Sequence, residues 1–319
     1  MNRLALAFTL VTFPIFAAEP PASPPAEAAK KDEAPATAEK PPAVAADPTD
    51  LGGFGSDEAI ERTDLPTRGI ITFPPPADGY ANMDHWHQYD WKFKARRWGH
   101  YQVRLTYRLD HATLGVQFKH GETRLKKILQ AAPSSHRTYL GEIFFPEAGD
   151  QAFAIYAPPA DVAAGFEIKE LALVPTFEGE PTVKPAADGS ITLLAKDATT
   201  WSENMRYEPK AEKNCLGYWT DPADFAEWEF EAPKPGKYRV LITHGCGKGN
   251  GGSQVAVHVG GQEAKFTVEE TGGFQNWKEA LVGEIEIKAA GTQRLTVDPL
   301  KKAKTAVMDV QKIQLKPVS

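Results

Sequence analysis

A stretch of thirty-five residues occurs twice in this chain, and two copies of one strand-rich pattern leave little room for any other fold. Gly141–Pro175 opens GEIFFPEAGDQAFAIY and closes FEIKELALVP, while Gly283–Pro317 opens GEIEIKAAGTQRLTV and closes MDVQKIQLKP. Gly141, Glu142, Ile143, Gly149, Gln151, Leu173 and Pro175 recur as Gly283, Glu284, Ile285, Gly291, Gln293, Leu315 and Pro317 at a constant offset of 142 residues. Upstream, Trp91, Phe93, Gly99, Tyr101 and Val103 recur as Trp228, Phe230, Gly236, Tyr238 and Val240 at an offset of 137. Each copy reads as an alternating strand, a Gly turn, a second alternating strand, a loop and a last strand closed by Pro. The chain is therefore expected to be all-β, with one β-sandwich over 51–175 and a second over 191–319, each of about 125 residues. Between them, residues 176–190 carry Pro181, Pro185 and Asp188–Gly189, which interrupt regular structure and mark a linker.

The chain begins MNRLALAFTLVTFPIFAAEPP. Arg3, an apolar run over Leu4–Phe16 and the small pair Ala17–Ala18 read as a secretory signal peptide over 1–18. Thirteen residues interrupted by Pro14 are too few for a bilayer, which needs about 20, so no membrane span is expected once the signal is removed. Residues 19–50 are mostly Ala and Pro with scattered Lys and Glu, cannot form an apolar face, and are expected to be a disordered, extended tether. The chain is thus expected to be exported, to the periplasm, the cell surface or outside the cell. A net charge of −6 without a long basic run argues against nucleic acid as the main partner. In an exported chain the two cysteines, Cys215 and Cys246, permit one disulfide.

Within the second domain, short strands separated by Gly and Pro turns predict an eight-stranded jelly roll. If consecutive strands run antiparallel, the tight turns PKPG, GGQ and AAG fall at one end. The long connections (197–223, the glycine-rich GCGKGNGG, EETGGFQNWKEA and DPLKKAKT) then fall at the other. Long loops gathered on a rigid scaffold are where binding usually resides. They bring Tyr218 and Trp219, His244 and Cys246, and Thr271 to Trp277 to the same end. Aromatic faces beside amides and hydroxyls suit a sugar, whose C–H groups stack on rings while its hydroxyls hydrogen-bond; the alternative is that these rings plug the end of the sandwich.

Several motifs in fixed order carry a resemblance. AKDA in the first strand, GYW in the first loop, W-x-F-x-A-x-x-x-G-x-Y-x-V, TGGFQNW, the A-G-x-x-x-L hairpin and the closing I-x-L-x-P resemble a family-6-type carbohydrate-binding module, one of the galactose-binding-domain-like jelly rolls. The resemblance covers about 191–318 and, more faintly, 70–175 through the repeat. It implies sugar stacking on Tyr218 or Trp219 and on Phe274, and Asn276 in the same loop is expected to bind the sugar as well. It also implies a polar contact from Asp309, which stands where the family has Asn entering the last strand. The family's structural calcium uses an acidic residue in strand one and an Asp in the last strand. Here Lys196 and Gln311 occupy those positions, leaving Asp197 as the calcium contributor if one is bound. The first domain has no TGG-aromatic motif: QAAPSSHRTY stands there, and its own loop YANMDHWHQYDW carries Asp84, His85, Trp86 and His87.

Nothing in the sequence marks a catalyst. GKGNGG matches G-x-G-x-x-G but joins two strands rather than opening a helix, and neither H-E-x-x-H nor G-x-S-x-G occurs. His244 continues the inward face of Tyr238, Val240 and Ile242, as a core histidine would, and no facing pair of carboxylates can be picked out. The expected function is non-catalytic binding of a polysaccharide or glycan by the second domain, alongside a secreted or envelope glycan-degrading enzyme as partner. The competing expectation is a structural or protein-interaction scaffold with no sugar ligand.

Overall fold

The structure, a computed structural model, describes residues 65–76, 79–81, 86–159, 163 and 165–318. The signal peptide, the Ala/Pro-rich segment, residues 51–64, Asp84 and His85 lie outside the described residues. Among the described residues no helix is long and apolar enough to cross a membrane.

In the first domain, period-two patterning builds seven strands: β1 (Ile71–Phe73), β2 (Tyr80–Ala81), β3 (His87–Ala95), β4 (Gly99–His120), β5 (Thr123–Phe145), β6 (Gly149–Ala157) and β7 (Phe166–Pro175). Val103, Leu105, Tyr107 and Leu109 alternate inward along β4 and are all but fully buried. One half of β4 pairs with β7 (Tyr101↔Pro175 to Leu109↔Phe166) and the other with β6 (Gln117↔Tyr156 to Lys119↔Ala154), while β5 accompanies it throughout. Register shifts at Val103/Arg104 and between Tyr107 and Thr113 let this long hairpin pass from one layer into the other. The layers meet face to face through aromatics: Phe73 of β1 lies 5.0 Å from both Phe93 of β3 and Phe153 of β6, edge-on. QAAPSSHRTY, which stands in place of the TGG-aromatic motif, lies within the continuous β5.

The second domain has two sheets enclosing a larger core. Its strands are β8 (Ile191–Leu194), β9 (Thr199–Trp201), β10 (Arg206–Glu208), β11 (Cys215–Gly217), β12 (Phe225–Ala232), β13 (Gly236–Cys246), β14 (Gln254–Val259), β15 (Gln262–Thr267), β16 (Gly273–Ile287), β17 (Gly291–Lys301) and β18 (Asp309–Pro317). One sheet runs β10-β11-β18-β13-β16, with β8 also on β18, and the other runs β15-β14-β17-β12-β9. Trp228, Phe230, Tyr238, Val240, Val257, Leu295 and Ile313 fill the space between them. The expected long first loop carries three short strands, because Arg206–Glu208 and Cys215–Gly217 form a hairpin that extends the sheet beside β18.

The offsets seen in the sequence reappear in the strand registers. Trp91↔Phe153 matches Trp228↔Leu295, Val103↔Gly141 matches Val240↔Gly283, and Tyr101↔Pro175 matches Tyr238↔Pro317. The bulge after Val103 also recurs after Val240. Where β13 gives way to the glycine-rich loop before β14, the first copy keeps one unbroken β4. Where a loop separates β15 from β16, it keeps one unbroken β5.

The two sandwiches are stitched together. Val174 packs with Trp201 and Phe225, joined by Leu65, Ile70 and Tyr139. Val183, within the expected linker, forms a parallel bridge to Phe230: its N–H donates to the Glu229 carbonyl and its carbonyl accepts from Glu231, both at 2.9 Å. Arg68 reaches across to Asp224, donating through Nε at 3.0 Å and Nη2 at 2.8 Å, and to Asp221 at 2.5 Å. Asp224 is fully buried, and burial pushes its carboxyl upward against the opposing pull of the Met205 and Asn204 amides and Arg68. Removing one partner of such a pair leaves a stranded charge. Arg68→Ala is therefore expected to lower unfolding free energy in urea by about 3–5 kcal/mol. A change below about 1 kcal/mol, the range of exposed ion pairs, would contradict the assignment.

Candidate functional site

The second sandwich gathers its long connections at one end through specific hydrogen bonds. Lys302 donates to the Thr220 carbonyl at 2.5 Å, the Thr305 hydroxyl to Asn250 Oδ1 at 2.6 Å, and the Gly249 N–H to Glu270 Oε2 at 2.7 Å. The glycine-rich loop joins β13 to β14 and backs the Phe274 ring. A Cβ on Gly247 would lie 2.5 Å from that ring, so the aromatic rests directly on backbone.

Between these loops lies a cleft of about 270 Å³ lined by Glu208, Lys213, Tyr218, Trp219, Thr220, Phe274, Gln275, Ala306 and Asp309. Its wall follows from strand register. Glu208 pairs directly with Cys215 across β10 and β11, and Leu216 pairs with Val310, which places Asp309 diagonally beside Cys215 on the same face. Gly217 stands between the two acids, and a Cβ there would lie 2.3 Å from Glu208 Oε2, so glycine lets the Glu208 carboxylate take this position beside Asp309. Lys213 donates to Glu208 Oε1 at 2.5 Å, Gln275 Nε2 to Asp309 Oδ2 at 3.4 Å, and the Cys215 thiol to the same oxygen at 3.8 Å. Burial first, and the neighbouring Glu208 second, raise Asp309 from 3.8 to about 7. Burial, with Asp309 and Glu208 beside it, likewise pushes the Cys215 thiol well up, so it stays protonated.

Tyr218, 44% exposed, forms the rim. It sits at φ +59°, a left-handed conformation that a bulky side chain rarely adopts. The Arg206 guanidinium covers one ring face at 3.5 Å and lies 3.8 Å from the ring of Trp98 of the first sandwich, which meets Tyr218 edge-on at 5.5 Å.

The structure thus brings Tyr218, Phe274 and Asp309 into one cleft, with Trp219 bordering it from the core, and places the other expected residues differently. Trp219 is fully buried, donates its indole N–H to the Asp224 carbonyl at 2.9 Å and packs in the core, so it is no stacking platform. Asn276 turns back on its own loop, its amide donating to the Thr271 carbonyl at 3.3 Å, outside the cleft lining. Cys215 and Cys246 are free and form no disulfide. β18 lies between their strands, which separates them by two strand spacings, about 10 Å, where a disulfide needs Cα atoms within about 7 Å. The fully buried His244 lies with Nε2 at 3.3 Å from the Glu269 carbonyl, and burial lowers its pKa.

Asp197 does not fit a calcium ligand. Its carboxylate accepts the Glu180 N–H at 2.8 Å and the Leu194 N–H at 3.3 Å, closing a turn of 3-10 helix. Among the described residues one group has metal-ligand spacing, Glu208, Cys215 and Asp309, with ligand atoms within 4.8 Å of one another. It contains a thiol, which hard calcium avoids, and the Lys213 ammonium already sits on Glu208. Glu208, Lys213 and Arg206 escaped the sequence reading, since only the hairpin pairing reveals that the first loop is folded against β18.

Residues 197–318 match one family model, that of a domain of unknown function (DUF5077). No curated protein matches the chain. Among solved structures, a xanthan lyase from Paenibacillus is similar over 80% of this chain and 26% of its own, with 14% identity and a TM-score of 0.33. The chain therefore spans about a quarter of that protein. The C-terminal family 6 carbohydrate-binding module of a laminarinase from Zobellia galactanivorans is similar over 40% of this chain and 98% of its own, with 16% identity and a TM-score of 0.34. A family 35 carbohydrate-binding module from Clostridium thermocellum covers the same shares with 18% identity and a TM-score of 0.34. Carbohydrate-binding modules are thus among the structural neighbours of this chain. At these identities and TM-scores, the functional reading rests on the cleft itself.

The raised Asp309 has a signed consequence. Between about pH 4 and 7 the folded chain holds a proton that the unfolded chain has released, so stability falls as pH rises through that window. Asp309→Asn removes this dependence. The variant is expected to gain on the native chain by up to about 4 kcal/mol at pH 8, and the advantage should vanish near pH 4. An unfolding difference that does not vary with pH would contradict it.

Proposed function

We propose that the cleft of the second sandwich binds carbohydrate and performs no chemistry on it. The observation that carries this reading is the composition of the cleft. Two aromatic residues, Tyr218 and Phe274, line one cleft together with the buried carboxylates of Glu208 and Asp309, the Gln275 amide and Lys213. A saccharide offers both kinds of surface, apolar C–H faces for the rings and hydroxyls for the polar wall. A partly hydrogen-bonded wall suits such a ligand better than an apolar one, because hydroxyls can replace water on the carboxylates without leaving them unpaired.

A hydrolytic role fits the geometry less well. Glu208 and Asp309 stand beside each other on one sheet face, separated by Gly217, rather than flanking a bond from opposite sides. Glu208 is tied to Lys213, and Asp309 receives Gln275 and Cys215. In this reading the chain is an exported binding protein that attaches to polysaccharide or brings a glycan-degrading enzyme to it.

Affinity electrophoresis of the intact chain through xylan, galactomannan, β-1,3-glucan, xanthan and polygalacturonate tests this. Retardation by one or more of them is expected, reduced at least about tenfold in Tyr218→Ala and Phe274→Ala, a typical loss for an aromatic stacking residue. Asn276→Ala should behave as the parent. Equal mobility with and without every polysaccharide would overturn the reading in favour of a protein-binding scaffold.

A further inference from the structure

The turn between β3 and β4 is where the two copies differ most pointedly. The second copy closes it with Pro233–Lys234–Pro235, while the first has Arg96–Arg97–Trp98 at the equivalent offset. All three of these residues reach the second sandwich. Arg96 pairs with Glu203, Arg97 donates to the Thr200 carbonyl at 3.1 Å, and Trp98 donates its indole N–H to the Tyr207 carbonyl at 3.1 Å. The Trp98 ring lies 3.8 Å from the Arg206 guanidinium, which lies 3.5 Å from the Tyr218 ring, and the two rings meet edge-on at 5.5 Å. Lys213, the cation of the cleft wall, is 5.9 Å from the same tyrosine ring.

Arg206 packs on both rings and is also hydrogen-bonded to the Tyr218 side chain. Its Nη1 donates to the Asn204 carbonyl at 3.0 Å, but its buried Nε has no hydrogen-bond partner among the described residues. Burial lowers its pKa, as expected of a cation packed against rings instead of in water. Tyr218 itself is at φ +59°, a conformation that persists only where the surroundings impose it. The guanidinium also occupies one face of the ring, and Tyr218 is still 44% exposed.

We propose that the first sandwich completes the carbohydrate site of the second, with Trp98 as a positioning residue that packs on Arg206 and meets Tyr218 edge-on, and so fixes the orientation of the stacking platform. This rests on the carbohydrate reading of the cleft. It assigns the first copy a role its own strands do not suggest, since its loops at the corresponding end have been replaced by the continuous β4–β5 hairpin.

Two readouts on the full chain test the proposal, one without ligand. With 3-fluorotyrosine incorporated, the Tyr218 resonance is assigned by its loss in Tyr218→Phe. It should lie away from the exposed-tyrosine position in the parent and move to that position in Trp98→Ala and in Arg206→Met, whereas Trp98→Phe, which keeps a ring on the cation, should stay near the parent. Arg206→Met leaves the first sandwich untouched and so covers the case in which Trp98→Ala misfolds. In gels containing the polysaccharides named above, Trp98→Ala and Arg206→Met should lose about tenfold in affinity while Trp98→Phe retains it. An unmoved Tyr218 resonance would overturn the positioning role. Parent-like retardation of Trp98→Ala alongside loss in Tyr218→Ala would overturn it while leaving the carbohydrate reading standing. A parent that no polysaccharide retards would bring down both.

Discussion

Asp224 is a carboxylate with no solvent exposure, and the first loop of the second sandwich is built around it. Its oxygens accept the N–H groups of Glu203, Asn204 and Met205 and two bonds from Arg68, while its own carbonyl receives the Trp219 indole. A buried charge tolerates its surroundings only when it is paired and hydrogen-bonded, so this one constraint fixes several elements together. It holds the chain entering β10, sets the depth of Trp219 and, by anchoring Trp219, leaves Tyr218 at the surface one residue earlier. It also fastens the segment before β1 to the second domain, so the ordering of the loop is coupled to one of the contacts that dock the two sandwiches.

The two copies divide the work of a single scaffold. Their registers coincide strand for strand, bulge included, but the second copy interrupts two strands with loops where the first runs through. Interrupting a strand removes backbone hydrogen bonds from the sheet, and those groups must be satisfied elsewhere. In the second copy Thr271, Asn250 and Glu270 do this, and in doing so they lay Phe274 against Gly247. The first copy keeps its ladder intact and carries its distinctive residues in the β3–β4 turn instead, facing the neighbouring domain. One sandwich supplies the cleft and the other a rigid support for its rim.

The all-β class and the two-copy organisation could be read from the sequence because they rest on local signals: period-two alternation, glycine turns and residues repeating at fixed offsets. Tyr218, Phe274 and Asp309 were accessible through motif order. Glu208 was not, because nothing near it in sequence shows that Cys215 will pair with it or that Gly217 will make room for Asp309. Trp219 was misplaced for a related reason: adjacent aromatics in an irregular segment do not reveal which faces the core, and the decisive partner is the carbonyl of Asp224. A disulfide looked feasible because Cys215 and Cys246 share one end of the domain, but β18 runs between them. Trp98 could not be connected to Tyr218 from sequence at all, since the contact spans two domains.

The central claim is that a saccharide ring lies on the ring of Tyr218. Saturation-transfer difference NMR on the intact chain, irradiating aromatic protons in the presence of oligosaccharides released from the polysaccharides above, reads that stack directly. Transfer is expected to C–H protons along one edge or face of a sugar residue, abolished in Tyr218→Ala and unaffected by Asn276→Ala. Transfer of equal strength in Tyr218→Ala, or none to any sugar from the parent, would contradict it.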